Sequence, residues 1–231
     1  MEQTAAFFRE KLELDLEYQK PWVTVFRMPN KQAFDIYATR PDAIKVPISF
    51  GYGVSDIVLD KHRAQLRGVE FADELAGSVS TAAWEMYRDS EGRHIQLSTS
   101  QGEQTFDQSK KKLRVKSVLW VGYNVSNLST DNEFHDHSFA GNFVVQRSDK
   151  HSLMKFSDGT YVNVAQKGSN MASEADYPIL GLEVDDLVAG VEVLKRRGVV
   201  LVGQQQSRNG FTWQHFRGPD ELLFKLIAVE Q

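Results

Sequence analysis

Cysteine is absent from the 231 residues, which removes disulfides, thiolate metal sites and a cysteine nucleophile from consideration. Long apolar runs are missing too. No stretch approaches the roughly 20 residues of a membrane-spanning helix, and the opening Glu2-Gln3-Thr4 carries no apolar segment of the secretory kind. Clustered basic charge is scarce: 27 Lys and Arg stand against 31 Asp and Glu, a net charge of -4. That balance does not suit a nucleic-acid surface. The one basic run, Lys110-Lys111-Lys112 with Arg114, lies among polar residues and reads as a solvated linker. A Gly-rich phosphate loop, a nucleophile elbow and paired catalytic carboxylates are likewise missing. These absences point to a cytoplasmic protein with neither a membrane nor a nucleic acid as partner.

What is present is a repeat, and self-similarity outranks any short motif. Val54-Ser55-Asp56-Ile57 is followed by Arg67-Gly68-Val69, by Trp84-Glu85-Met86-Tyr87-Arg88 and by His94-Ile95-Gln96-Leu97. Val184-Asp185-Asp186-Leu187 is followed by Arg197-Gly198-Val199, by Trp213-Gln214-His215-Phe216-Arg217 and by Phe224-Lys225-Leu226. Val to Gly is 14 residues in both copies, Val to Trp is 30 and 29, and Trp to Leu is 13 in both. Each copy reads as an apolar strand, an N-cap at Ser55 or Asp185, and a helix with apolar residues at helical spacing. A glycine, Gly68 or Gly198, then stands where φ turns positive, and three short strands complete the copy.

Two weaker copies complete the chain. One runs from the strand Leu113 to Val125 through a short helix, Ser126 to His135, and three strands ending at Ala165. The other opens the sequence: Thr4 caps a helix through Leu12, and strands follow near 14–18, 22–26 and 34–37, with Phe26-Arg27 in the place of Tyr87-Arg88 and Phe216-Arg217. The fold class is therefore α+β, with four βαβββ modules at 1–40, 45–100, 113–168 and 176–231. The expected division is an N-terminal pair at 1–100, a linker at 101–112 and a C-terminal pair at 113–231. The first module has no residues before its helix for an opening strand. Its open edge predicts cover by the linker or by a second subunit in a homodimer.

The order of strand, helix, Arg-Gly-Val, Trp-x-x-[Phe/Tyr]-Arg and closing apolar strand resembles the vicinal oxygen chelate superfamily, the glyoxalase, bleomycin-resistance and extradiol dioxygenase relatives. The resemblance implies module pairs curved into cup-shaped half-barrels with a ligand inside. It also implies a divalent metal held from the first and last strands of each module. At the closing-strand position where relatives carry Glu, this sequence holds Asp35, Gln96, Asn163 and Lys225. At the opening-strand position where they carry His, it holds Ser49, Trp120 and Ile179. A metal needs three or four His or carboxylate ligands on one ion, and the 113–231 set of Trp120, Asn163, Ile179 and Lys225 supplies none. The expectation is a chain without a metal or other cofactor that binds a small aromatic or amphipathic molecule. Trp120, Asn163, Ile179 and Lys225 are placed at the cup's centre, with Trp213 and His215, two apart on one strand, on its wall.

The competing expectation is a metal-dependent lyase, isomerase or dioxygenase of the same superfamily, for which His215, His135, His137 and Asp35 are the available material. His135 and His137 fall near the end of a short helix, where residues two apart diverge, and read as surface histidines. A lone strand histidine such as His215 is usually structural, and Trp22, Trp84 and Trp213 read as core packing.

Overall fold

The computed structural model describes residues 1–37, 50–54, 56–71, 75–78, 82–89, 91–100, 107–138, 143–156 and 158–230. The chain forms four helices among these residues: α1 (Glu2–Lys11), α2 (Ile57–Leu66), α3 (Leu128–Ser138) and α4 (Leu187–Arg196). The first module contributes β1 (Asp15–Lys20), β2 (Val23–Arg27) and β3 (Ala33–Tyr37), and the second β4 (Gly51–Gly53), β5 (Ala76–Ser78), β6 (Ala82–Arg88) and β7 (His94–Ser100). The third contributes β8 (Val115–Val125), β9 (Phe143–Arg147), β10 (His151–Lys155) and β11 (Tyr161–Gln166), and the fourth β12 (Ile179–Val184), β13 (Leu201–Arg208), β14 (Phe211–Arg217) and β15 (Leu223–Val229). No helix is long and apolar enough to cross a membrane.

Three devices written into the repeat build each copy. The first is the helix start. Asp56 and Asp186 accept hydrogen bonds from the backbone N–H groups of Leu59 and Ala189, both at 3.0 Å. The cap thus lies one residue beyond the expected one at Asp185, while Ser55 lies outside the described residues. The first module also departs from expectation: its helix begins at Glu2, so Thr4 sits inside the first turn and caps nothing.

The second device ends the helix. Gly68 (φ 87°) and Gly198 (φ 72°) take the left-handed conformation. Their N–H groups reach the carbonyls of Gln65 and Lys195, and the N–H groups of Val69 and Val199 reach those of Ala64 and Leu194. This is the paired bonding of a Schellman motif, and it explains why Arg-Gly-Val recurs. The third device is the arginine after the aromatic residue. Arg27, Arg88 and Arg217 each donate to a carbonyl four residues on, those of Lys31, Gly92 and Glu221, at 2.7, 3.2 and 2.7 Å. The aromatic residue before each, Phe26, Tyr87 or Phe216, has no exposed surface. Strand alternation sends the ring into the core and leaves the guanidinium to hold the hairpin turn.

Opening and closing strands run parallel, Gly51 opposite Gln96 and Gly181 opposite Lys225. The antiparallel hairpins place Val25 opposite Asp35, Met86 opposite Gln96 and His215 opposite Lys225. Asp35, Gln96 and Lys225 therefore occupy one repeated position, as the sequence alignment requires.

The chain divides into two compact units, one of 1–45, 104–120 and 179–231, the other of 46–103 and 121–178. These units cut across the division at 1–100 and 113–231. In the first unit, strand order is β1-β2-β3 and β13-β14-β15-β12-β8, the last through its residues up to Trp120. Phe8 of α1 packs on Phe26, Phe34 and Phe224 at ring separations of 6.4, 4.5 and 5.6 Å. Arg197 donates to the Lys11 carbonyl and Glu13, while Lys11 donates to the Arg197 carbonyl. First and fourth modules thus share a core. The described end of the linker lies against the first module: Lys111 pairs with Asp15 at 2.5 Å, Gln108 bonds Asp15, and Leu113 N–H donates to Glu13.

In the second unit, strand order is β4-β7-β6-β5 and β8-β11-β10-β9, and α2 packs with β6 and β7 around Ile57, Ala64, Tyr87, Ile95 and Leu97. Trp22, expected in a strand, lies in the turn before β2 and is 40% exposed, stacked beside Tyr37. Removing the helix cap with Asp186→Ala should cost about 1 kcal/mol in urea unfolding, and Asp186→Asn should restore most of it. An unchanged midpoint for Asp186→Ala would show that the cap contributes nothing.

Candidate functional site

In the first unit, β14 and β15 present one face on which cross-strand partners meet. His215 lies opposite Lys225 and Trp213 opposite Ile227, and the opposite face carries the fully buried Phe216 and Leu226. The ammonium of Lys225 sits 5.1 Å from the centre of the Trp120 ring and 5.3 Å from that of Trp213. Trp120 meets Phe211 edge-on at 5.5 Å. It comes so close to β12 that a Cβ on Gly181 would lie 2.7 Å from the Trp120 Cβ, so only glycine fits there. Ile179, two residues before Gly181, is buried and falls on the same side by strand alternation.

The electrostatics of this face are unusual. Among the described residues no carboxylate and no hydrogen-bond acceptor meets the Lys225 ammonium, and burial alone pushes its pKa down to about 8. Burial, then the positive charge of Lys225, pushes His215 down to about 4, so its imidazole is neutral at pH 7. The indole N–H of Trp213 is buried without an acceptor among the described residues. The face therefore offers a poorly solvated cation, two indoles and a neutral imidazole.

Of the expected site residues, Trp120, Ile179, Trp213, His215 and Lys225 come together in this unit. Asn163 stands on β11 of the second unit, opposite Leu153. Ser49 lies outside the described residues. Asp35 holds the Lys225-equivalent position on β3 in the first unit, where desolvation raises its carboxyl pKa to about 6 against the opposing effect of Arg27. Its Oδ1 is buried without a hydrogen-bond partner among the described residues, and the Tyr37 hydroxyl lies 3.4 Å from Oδ2.

The second unit corrects the surface reading of His135. This residue is fully buried, because α3 runs on to Ser138 and aligns Leu128, Asp131 and His135 on its inner face. The His135 imidazole lies 2.6 Å from the Tyr123 hydroxyl and 3.4 Å from Asp131. Burial, then the Arg93 charge, lowers its pKa to about 3. Arg93 bridges the fully buried carboxylates of Asp89 at 2.5 Å and Asp131 at 3.2 Å, donates to the Asn124 carbonyl at 2.8 Å and lies 4.2 Å from the Tyr123 ring centre. Beside it Gly92 takes φ 77°, and its N–H donates to the Asp89 carbonyl. His137 lies within α3.

No protein-family profile matches the chain, and no curated protein matches its sequence. Solved structures do match. The 2,3-dioxygenase LapB of Pseudomonas sp. KL28 aligns with a TM-score of 0.75 at 13% identity, over 100% of this chain and 88% of that one. A Mn(II)-bound glyoxalase from Novosphingobium aromaticivorans aligns with a TM-score of 0.73 at 14% identity, over 98% and 77%. The 2,2',3-trihydroxybiphenyl 1,2-dioxygenase of Sphingomonas wittichii strain RW1 aligns with a TM-score of 0.67 at 12% identity, over 100% and 86%. The chain has the α+β fold of these dioxygenases and this glyoxalase.

These matches correct the expectation of a chain without a cofactor, since one of them carries Mn(II) in the same fold. The described donor set does not fit such an ion at the Lys225 face, where an ammonium, an indole and an aliphatic chain stand. No group of three or more His, Asp or Glu side chains among the described residues could hold a metal ion, and Asp35 is one donor of the three or four required.

Burial of Lys225 has a measurable signature. Its depressed pKa means that unfolding takes up a proton between pH 8 and 10.5, so stability rises with pH across that window. Lys225→Met should stabilise the protein by about 1–3 kcal/mol at pH 7, and the gap over wild type should close as pH rises from 8 towards 10.5. A pH-independent gap would show that Lys225 is as well solvated folded as unfolded.

Proposed function

We propose that this protein binds a small aromatic molecule bearing an acidic group against the Trp120, Trp213, His215 and Lys225 face. The observation that carries the reading is the Lys225 ammonium lying beside two indole rings with no carboxylate to neutralise it among the described residues. Burying a cation without a partner is costly. A carboxylate or phenolate would offset that cost, and the indoles would stack on its ring. Ile179 closes the same side of the sheet.

A second reading, a metal-dependent lyase, isomerase or dioxygenase, is supported by the shared fold and by Asp35, a buried carboxyl at the Lys225-equivalent position with one oxygen unbonded. Elemental analysis of the purified protein separates this reading. Stoichiometric metal that is lost in Asp35→Asn supports it, and a metal content unaffected by that substitution removes Asp35 from it. We place the protein in the cytoplasm, with the cysteine-free sequence as support. A homodimer joined at β3 also belongs to this reading. It is supported by β3 having one strand neighbour among the described residues and by the exposed Trp22 and Tyr37 beside it. Sedimentation at micromolar concentration checks it, and a monomer removes it.

Binding can be read from the two indoles themselves. Benzoate should quench tryptophan fluorescence saturably, and benzylamine, of similar shape and opposite charge, should not. Lys225→Ala should weaken benzoate by about 1.5–3 kcal/mol, the range for a hydrogen bond to a charged group. Equal response to both probes, or unchanged benzoate affinity in Lys225→Ala, would overturn the reading.

A further inference from the structure

The features that make Lys225 a poor surface cation make it a good amine nucleophile. A lysine nitrogen attacks only when neutral, and desolvation between apolar walls is one of the ways proteins free it. Here the Nζ lies 5.1 and 5.3 Å from two indole centres, and no carboxylate or hydrogen-bond acceptor holds it protonated among the described residues. With burial pushing its pKa down to about 8, about a tenth of the amine is free at pH 7. Across the ladder stands His215. Directly opposed antiparallel residues have Cβ atoms about 4.5–5.5 Å apart, so its imidazole is within reach of chemistry at Nζ. It makes no hydrogen bond of its own among the described residues, and at a pKa of about 4 it is free to accept a proton. The opposite neighbour of Lys225, Gly181 on β12, presents no side chain, which lets Trp120 close in on that strand.

We infer that Lys225 forms a covalent imine with aromatic aldehydes, with His215 shuttling the protons. The inference rests on the reading above that this face receives an aromatic molecule. The lone pair of Nζ attacks the carbonyl carbon, a C–N bond forms, and the carbonyl π electrons move onto oxygen. His215 takes a proton from the nitrogen and returns it to that oxygen, giving a carbinolamine. A proton from solvent, passed on by His215, converts the hydroxyl to water, the C–O bond breaks, and the nitrogen lone pair closes the C=N bond. The resulting iminium gives its N–H proton back through His215 to solvent, leaving the imine. Amine and aldehyde become imine and water, with no net change in oxidation state. The two indoles hold the aromatic ring so that its carbonyl meets the amine.

Benzaldehyde with sodium cyanoborohydride tests the step, because reduction of the imine leaves a stable benzylated lysine that peptide mass mapping can locate. At pH 7 and limiting aldehyde, Lys225 should be modified at least tenfold faster than the exposed Lys31 and Lys150. Lys225→Arg should lose that adduct and keep the others, and His215→Gln should slow it at least fivefold. Modification of Lys225 no faster than that of Lys31 overturns the inference. Benzoate titration separates this failure from that of the binding reading. Benzoate bound without a Lys225 adduct sinks the imine alone, and a fast Lys225 adduct without benzoate binding sinks the anion site alone. An unchanged rate in His215→Gln removes the histidine from the step.

Discussion

The parallel ladder between each opening strand and its closing strand is the constraint from which the repeated copies follow. A parallel partner cannot be reached by a hairpin, so the chain must cross over through a helix. The crossover then needs a defined start and a defined stop. Asp56 and Asp186 supply the start, and Gly68 and Gly198 at positive φ supply the stop. The same ladder sets Gly51 against Gln96 and Gly181 against Lys225, which puts one side chain of each closing strand in mid-sheet, where solvation is least.

Around this shared frame the two copies spend their polar groups differently. In the second unit Arg93 gathers Asp89, Asp131 and Asn124, and every charge in the knot has a partner. Buried charge of that kind is stable only while complete, and the His135 imidazole beside it stays neutral. In the first unit the fourth module has no such network among the described residues. There its Lys225 is met by rings rather than by a carboxylate.

Much of this could be read from residue order. The spacing from Val to Gly to Trp fixed the register so well that the ladder pairs Asp35, Gln96 and Lys225 as equivalents. The Phe/Tyr-Arg pair recurs because one residue fills the core and the next holds a turn. What was hidden involves partners distant in sequence. His135 looked like a surface residue because its helix face, Leu128, Asp131 and His135, is mostly polar, and its burial depends on Arg93 arriving from another module. The clustering of the first module with the fourth depends on Phe8 meeting Phe224 and on Arg197 reaching Lys11 and Glu13. No periodicity encodes those encounters.

Asp35 and Lys225 show what the repeated position does to whatever stands there. Desolvation raises the carboxyl to about 6 and lowers the ammonium to about 8. The shifts have opposite signs and one cause, since burial disfavours the charged form of either group. A position that pushes an acid and a base alike towards neutrality is poorly hydrated by construction, whichever module it belongs to. The fold therefore supplies the environment, and the residue supplies the sign of the ligand. A carboxylate there calls for a cation or a proton, and an ammonium for an anion or, once it has given up its proton, an electrophile. In this chain the fourth module has chosen lysine, and with two indoles and a neutral imidazole around it the chemistry follows the amine.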